Sequence, residues 1–111
     1  MPNLDKLNED RVEQALKYLS STDEQHAELS GEVKMLEEVL KSVKAALFLE
    51  SEGGVAEREQ KALASVKYIK AVNEWASVWK AFKVMANRRE HEVRVVEIWQ
   101  TLSANRRKGN L

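Results

Sequence analysis

The segment from Leu29 to Gly54, LSGEVKMLEEVLKSVKAALFLESEGG, decides the fold because it combines a long apolar repeat with an abrupt stop. Large aliphatic residues recur at alternating spacings of four and three, at Leu29, Val33, Leu36, Leu40, Val43 and Leu47. This alternation is typical of a helix that packs along one side against another helix. Gly53 and Gly54 then favour a helix end, because glycine readily takes the left-handed conformation that closes a helix. The segment predicts a long helix followed by a turn.

The residues before this segment favour a helix boundary. A short helix is predicted over residues 8–20, and Thr22 then offers an N-cap hydroxyl, with Gln25 three residues later as in a capping box. The long helix is therefore predicted over 22–52.

The residues after the glycines predict two more helices, over 55–64 and 66–105, with Ser65 as the cap between them. The last one carries a second row at alternating spacings of four and three: Tyr68, Val72, Trp75, Trp79, Phe82, Ala86, Arg89, Val93 and Val96. Arg89 is the charged member of this row. Its position fits either a side chain that lays its methylenes on the core or a functional cation aimed into an interface.

Composition limits the fold to the all-α class. The 111 residues include only 4 Gly and 1 Pro, too few turn-forming residues for a sandwich or barrel, and no Cys, which excludes disulfides and thiol chemistry. No signal peptide or membrane span is visible, and a cytoplasmic location is expected. The sequence predicts a single helical domain over 1–111, an antiparallel hairpin of two long helices with short flanking helices.

Both apolar rows are wider than one partner helix can cover, since Met35, Val39, Ala46 and Leu49 broaden the first of them. A hairpin gives each helix a single contact line, so the remaining apolar surface predicts a helical homo-oligomer. The residues expected at its interface are Trp75, Trp79, Val93, Val96 and Trp99. The spacing leaves the subunit number open, from a dimer to a ring.

Charge is balanced in sum but polarised along the chain. Residues 1–57 contain six Lys/Arg and thirteen Asp/Glu, whereas residues 58–111 contain twelve and five, giving formal charges of −7 and +7. This polarity fits either oppositely charged helices that pair or a basic face presented to a polyanion. The second interpretation selects the cations of the last quarter as nucleic-acid contacts, with Trp99 among them: Arg88, Arg89, Arg94, Arg106, Arg107 and Lys108. The alternatives are a packing role for Trp99 and a solubilising basic end for the last three cations.

Motifs for catalysis or metal binding are missing from the sequence. No Gly-rich phosphate loop follows a strand, and neither His26 nor His91 belongs to a pattern that would put two ligands on one helix face. The sequence therefore predicts a non-enzymatic protein without a metal or other cofactor.

The order of these parts resembles the phage recombination mediators of the UvsY type, over roughly residues 16 to 107. The resemblance is carried by the Lys44–Gly54 segment KAALFLESEGG, the restart ASVKYIK from Ala64 to Lys70, and a long aromatic helix that ends in basic residues. It implies a small helical protein that binds single-stranded DNA and helps a RecA-like recombinase load onto strands coated by a single-strand binding protein. It further implies a role for Lys44 in strand binding, whereas the family's accompanying arginine is replaced by Ala46 here.

We therefore expect a recombination mediator that binds single-stranded DNA without sequence preference, with the departure at Ala46 shifting the main site to the C-terminal cations. A phage origin would place it in the host cell cytoplasm. Two alternatives stay open: a structural or regulatory coiled-coil protein that acts through protein–protein contacts, and an inhibitor of a host nucleic-acid enzyme.

Overall fold

A computed structural model describes residues 7–109 and contains three helices in this range: α1 (Glu9–Glu50), α2 (Val55–Ala64) and α3 (Val66–Arg107). No strand occurs among these residues. The all-α prediction is therefore confirmed for the described part of the chain. α2 has the predicted bounds, and α3 begins at the predicted residue and runs two residues beyond the predicted end.

The predicted boundary near Thr22 is wrong, because α1 is one helix of 42 residues that replaces the predicted helices 8–20 and 22–52. Asn8 caps this helix instead: the Arg11 backbone N–H donates to Asn8 Oδ1 at 2.9 Å. Thr22 does not act as an N-cap, since its hydroxyl donates to the Tyr18 carbonyl, four residues earlier, at 2.7 Å.

The continuity of α1 follows from a single repeat that runs along the whole helix. The apolar row of the Leu29 segment extends upstream in the same alternation through His26, Thr22, Leu19, Ala15 and Val12, and none of these positions is exposed. We call this set, from Val12 to Leu47, the inner row of α1. Two of its members, Thr22 and His26, are polar, so the apolar residues alone do not show the full length of the repeat.

The turn between α1 and α2 is built on glycine, as expected. α1 ends at Glu50, two residues before the predicted end, and Gly53 has a φ of +114°, in the region that side-chain-bearing residues rarely adopt. Lys61 of α2 stabilises the turn by donating to the Glu52 carbonyl at 2.9 Å. Ser65 then separates α2 from α3, and its carbonyl accepts the first backbone hydrogen bond of α3 from Ile69.

The chain divides into two compact units, which are described separately. Among the described residues, unit 1 comprises 7–26 and 84–109, and unit 2 is Ala27–Lys83. The buried residues of unit 1 are Val12, Ala15, Glu92 and Val95, and those of unit 2 are Val33 and Ala62. The predicted single domain over 1–111 stays a prediction.

Side-chain contacts join the segments of α1 and α3 within unit 1. Arg11, near the start of α1, contacts Glu92, whereas the later residues Thr22 and Asp23 contact the earlier Arg89.

The unexposed side of α3 departs from the predicted row at Trp79 and Val93. One series of unexposed residues follows spacings of three and four through Tyr68, Ala71, Trp75, Val78, Phe82, Met85, Arg89, Glu92, Val96 and Trp99, and we call this set the inner row of α3. Val72, Ala86, Val95 and Ile98 are also unexposed and lie beside it. The prediction placed Trp79 and Val93 in this row, but both are 41% exposed. At one of these positions the buried residue is Glu92, which pairs with Arg11, and an apolar pattern does not reveal a buried carboxylate.

Candidate nucleic-acid interface

The end of α3 carries three consecutive exposed cations, Arg106, Arg107 and Lys108. Gly109 follows them with a φ of +74°, and its N–H donates to the Arg106 carbonyl at 3.0 Å, which closes the helix. Within residues 7–109, no carboxylate lies within 4.0 Å of the charged nitrogens of these three residues. Since consecutive helical residues are about 100° apart, the three charges spread around the end of the helix.

Arg94 is partly neutralised by its own helix. Its Nη2 lies 2.7 Å from Oε1 of Glu90, one turn earlier, and both side chains are largely exposed. Exposed pairs of this kind contribute only about 0.3–0.5 kcal/mol, so a phosphate could compete for this guanidinium at small cost.

Arg88 and Arg89 contact α1. The Arg88 guanidinium carbon lies 4.3 Å from the centre of the Tyr18 ring, within the range of a cation–π contact. Arg89 Nη1 donates to the Leu19 carbonyl at 2.8 Å and to the Thr22 hydroxyl at 2.7 Å, and its Nη2 lies 3.3 Å from Asp23 Oδ1. Of the two interpretations of Arg89, the packing role therefore has direct support: its side chain is 17% exposed and its charge is used between helices.

Lys44 belongs to unit 2, whereas the other six predicted contact residues belong to unit 1. It is half-buried and lines a shallow depression together with Lys41, Ala45, Phe48, Leu49 and Glu59. Lys41 is paired with Glu38 at 3.1 Å on the exposed face of α1. The Phe48 ring of this depression makes a cation–π contact with Arg58 of α2, whose guanidinium carbon lies 5.6 Å from the ring centre.

The five residues predicted for an oligomer interface fall into two groups. Trp75, Val96 and Trp99 are half-buried members of the inner row of α3, whereas Trp79 and Val93 lie on its exposed neighbouring side. The Trp75 and Trp79 rings stack with centres 6.0 Å apart and an angle of 30° between their planes.

Sequence reasoning missed two arrangements near these residues. The first is the buried pair of Glu92 and Arg11, which are far apart in sequence. The second is the cationic surrounding of Trp79: Lys83 Nζ lies 5.9 Å from the Trp79 ring centre, and Lys80 is exposed beside it in sequence. A signal for the second was present, since the spacing of four between Trp79 and Lys83 places both on one helix face.

Neither a metal centre nor a membrane span is found in the described part of the chain. No group of three or more His, Asp or Glu residues in 7–109 is arranged to hold a metal ion. Helices of this region also lack the apolar length needed to cross a bilayer. Comparison of the chain with protein-family models, characterised proteins and solved structures yields no match.

Proposed function

We propose that this protein binds single-stranded DNA without sequence preference, through the cations at the end of α3, and acts as a non-enzymatic recombination mediator. The observation that carries the proposal is the set Arg106, Arg107 and Lys108, exposed at a helix end with no carboxylate within 4.0 Å among the described residues. Unneutralised cations bind polyanions by releasing the counterions condensed on the phosphates. Arg94 is a further contact, because its exposed pair with Glu90 exchanges readily.

Arg88 and Arg89 have a different part in this proposal. Arg89 positions α3 against α1 rather than contacting DNA, since its guanidinium already has three acceptors on α1. Arg88 is an exposed residue that contacts the Tyr18 ring. Its guanidinium contributes positive charge to the surface while it keeps this contact. Lys44 contributes a contact on unit 2, as the resemblance to UvsY-type mediators implies.

The proposed assembly is an antiparallel hairpin of α1 and α3 that forms a homo-oligomer. Large apolar side chains are exposed on all three helices, and the most exposed are Leu49, Val55, Val66 and Val84. Few side chains of the described region are fully buried, so contacts between copies would add the apolar burial that one chain lacks. Val93 is the exposed member of the predicted interface set that we assign to these contacts, together with Met35 and Val39 of α1.

Several weak sites in one assembly would give the mediator its mechanism. Once one subunit holds the strand, the sites on neighbouring subunits meet the same strand at a high effective concentration. Individually weak contacts therefore produce a stable complex. Such a complex would hold the strand while a single-strand binding protein is exchanged for a RecA-like recombinase. We propose a cytoplasmic location for this activity.

Fluorescence anisotropy with labelled oligonucleotides tests the proposal. We expect binding of single strands that tightens with length, is indifferent to base sequence, and weakens with salt at a log–log slope of about −0.7 per neutralised phosphate. Duplexes of the same length serve as the control. Affinity that does not depend on salt, or binding restricted to one duplex sequence, would contradict the proposal.

A second function is favoured by the same exposed apolar residues. A structural or regulatory coiled-coil protein would use Met35, Val39 and Val93 to bind a different helical protein, and its basic end would have no ligand. Sedimentation separates the two: a stable folded monomer at micromolar concentration that binds no oligonucleotide would favour this second function.

A further inference from the structure

Trp79 is an exposed aromatic side chain that stacks on a neighbouring ring. It lies on α3 in unit 2, is 41% exposed, and stacks on the half-buried Trp75 with ring centres 6.0 Å apart. One part of the ring is thus held by a neighbour in the protein, while much of the remainder faces solvent. A surface tryptophan held in this way offers a flat apolar face at little cost in side-chain entropy.

Positive charge surrounds this ring. Lys83 Nζ lies 5.9 Å from the Trp79 ring centre, and Lys80 and Lys83 are both exposed. No carboxylate of residues 7–109 lies within 4.0 Å of either ammonium group. The sequence from Trp75 to Arg89 contains no Asp or Glu, so the turns of α3 that flank Trp79 carry no acid.

This combination fits a nucleic-acid strand better than a protein contact. Covering Trp79 with another apolar helix face would also remove water from two unpaired ammonium groups, and interface cores are depleted of lysine for this reason. A single strand presents both complementary parts: a base that stacks on the aromatic face and phosphates that pair with the cations. Val93 has the same exposed fraction but no aromatic ring, and Arg94 beside it is paired with Glu90.

We propose that Trp79 is a stacking site for a base of single-stranded DNA, with Lys80 and Lys83 contacting the adjacent phosphates. The inference rests on the proposed function and adds to it a contact region on unit 2 that recognises bases as planar rings. It assigns Trp79 to DNA rather than to the subunit interface. Because every base has a flat face, such a site adds affinity without sequence preference.

Intrinsic fluorescence tests the stacking directly. The double variant Trp75→Phe/Trp99→Phe keeps Trp79 as the single tryptophan, and we expect oligo(dT) to quench its emission in parallel with the anisotropy of a labelled strand. The matched control, Trp75→Phe/Trp79→Phe, keeps only the half-buried Trp99 and should show a smaller change. Equal quenching in both variants, or none in the first, would overturn the stacking site.

Affinity measurements supply the second test. Trp79→Ala should weaken single-strand binding by roughly 5- to 150-fold, the range that base–aromatic stacking contributes, whereas Trp79→Phe should retain most of the affinity. Lys80→Ala and Lys83→Ala should each reduce the salt slope by about 0.7. These two variants test the site even if Trp79→Ala does not fold, which circular dichroism would reveal.

The outcomes separate this inference from the proposed function. Wild-type protein that binds no oligonucleotide would overturn both. Wild-type binding that Trp79→Ala leaves intact would overturn only the stacking site. A Trp79→Ala variant that sediments at a lower mass, with unchanged affinity for a short strand, would instead identify Trp79 as a subunit contact and also overturn it.

Discussion

Arg11 at the start of α1 pairs with Glu92 of α3, and its Nη2 lies 2.8 Å from Glu92 Oε2. The Glu92 side chain is only 7% exposed. Among the described residues, no other charged residue is buried. Its Oε2 accepts no well-aligned hydrogen bond, so the Arg11 charge is what compensates for its burial. The pair therefore offsets the cost of burying Glu92, which lies on the same side of α3 as the buried Val95, three residues later.

Removing the partner of this carboxylate should destabilise the protein. We expect Arg11→Met to lower the free energy of unfolding by about 1–3 kcal/mol, because the methylenes are kept while a buried carboxylate is left without its counter-charge. The upper end of the range for buried pairs is not expected, since the Arg11 side chain is 31% exposed. Urea unfolding followed by circular dichroism measures the change.

The double variant Arg11→Met/Glu92→Met is the control for this pair. It removes both charges, so it should be more stable than Arg11→Met alone. Strictly additive effects of the two substitutions would show that the ion pair does not stabilise the fold.

Arg89 should matter for stability and not for DNA binding. Arg89→Met removes the donors to Leu19, Thr22 and Asp23, and we expect the free energy of unfolding to fall by roughly 1–3 kcal/mol. Thr22→Val removes a single acceptor of Arg89 and should cost about 1 kcal/mol. Oligonucleotide affinity measured well below the unfolding midpoint should be unchanged in both variants. A large drop in affinity in a folded Arg89→Met protein would assign this cation to the strand instead.

The helices that sequence reasoning located correctly are those bounded by residues with a strong conformational preference. Gly54 and Ser65 cap the two ends of α2, and Gly53 precedes them in the turn with its positive φ. The false boundary at Thr22 has the opposite origin. A hydroxyl that can cap a helix can equally accept a hydrogen bond from Arg89, and the second role depends on a residue 67 positions away.

Contacts between residues far apart in sequence also decide which residues of the candidate site are exposed. Repeats of three and four place residues on a side of a helix, but two neighbouring rows of α3 are both rich in apolar residues. The inner row includes the charged Glu92, which pairs with Arg11, and sequence spacing does not show this long-range pair. The spacing alone therefore places Trp79 in the same row as the core residues of α3, whereas the structure places it on the exposed side, beside Lys83.

Gly31 is a weak point of α1 that substitution should repair. It lies within the helix, and a Cβ built on it meets no atom within 4 Å, so no close helix crossing requires glycine there. Gly31→Ala should raise the free energy of unfolding by about 1 kcal/mol, through the better helix propensity of alanine. Thermal and urea unfolding measure the gain. An unchanged or lower stability would mean that another molecule, such as a second copy, packs closely on this position.

The two glycines of the turn should respond differently to the same substitution. Gly53→Ala forces a side chain into a backbone with φ of +114° and against the Glu57 carboxylate, so we expect the free energy of unfolding to fall by about 1 kcal/mol or more. Gly54 has a φ of −73° and open space around its Cβ direction, so Gly54→Ala is the matched control, with an effect of about a few tenths of a kcal/mol. Equal destabilisation in the two variants would show that the positive φ does not matter.

The last prediction compares the cations at the end of α3 with Lys44. Replacing Arg106, Arg107 and Lys108 by alanine should weaken single-strand binding and reduce the log–log salt slope by about 0.7 for each phosphate that is no longer neutralised. The free energy of unfolding should change by only about a few tenths of a kcal/mol for each residue, because exposed cations at a helix end stabilise it only through the helix dipole.

Lys44→Ala is the matched comparison, since it removes one half-buried cation from unit 2 and leaves the α3 end intact. We expect this variant to reduce the log–log salt slope by no more than about 0.7, the contribution of a single neutralised phosphate. A triple variant that binds as tightly as the wild type, beside a Lys44→Ala variant that does not bind, would identify Arg106, Arg107 and Lys108 as charges that only complement the helix dipole. Strand binding would then belong to unit 2, where Lys44, Lys80 and Lys83 supply the cations.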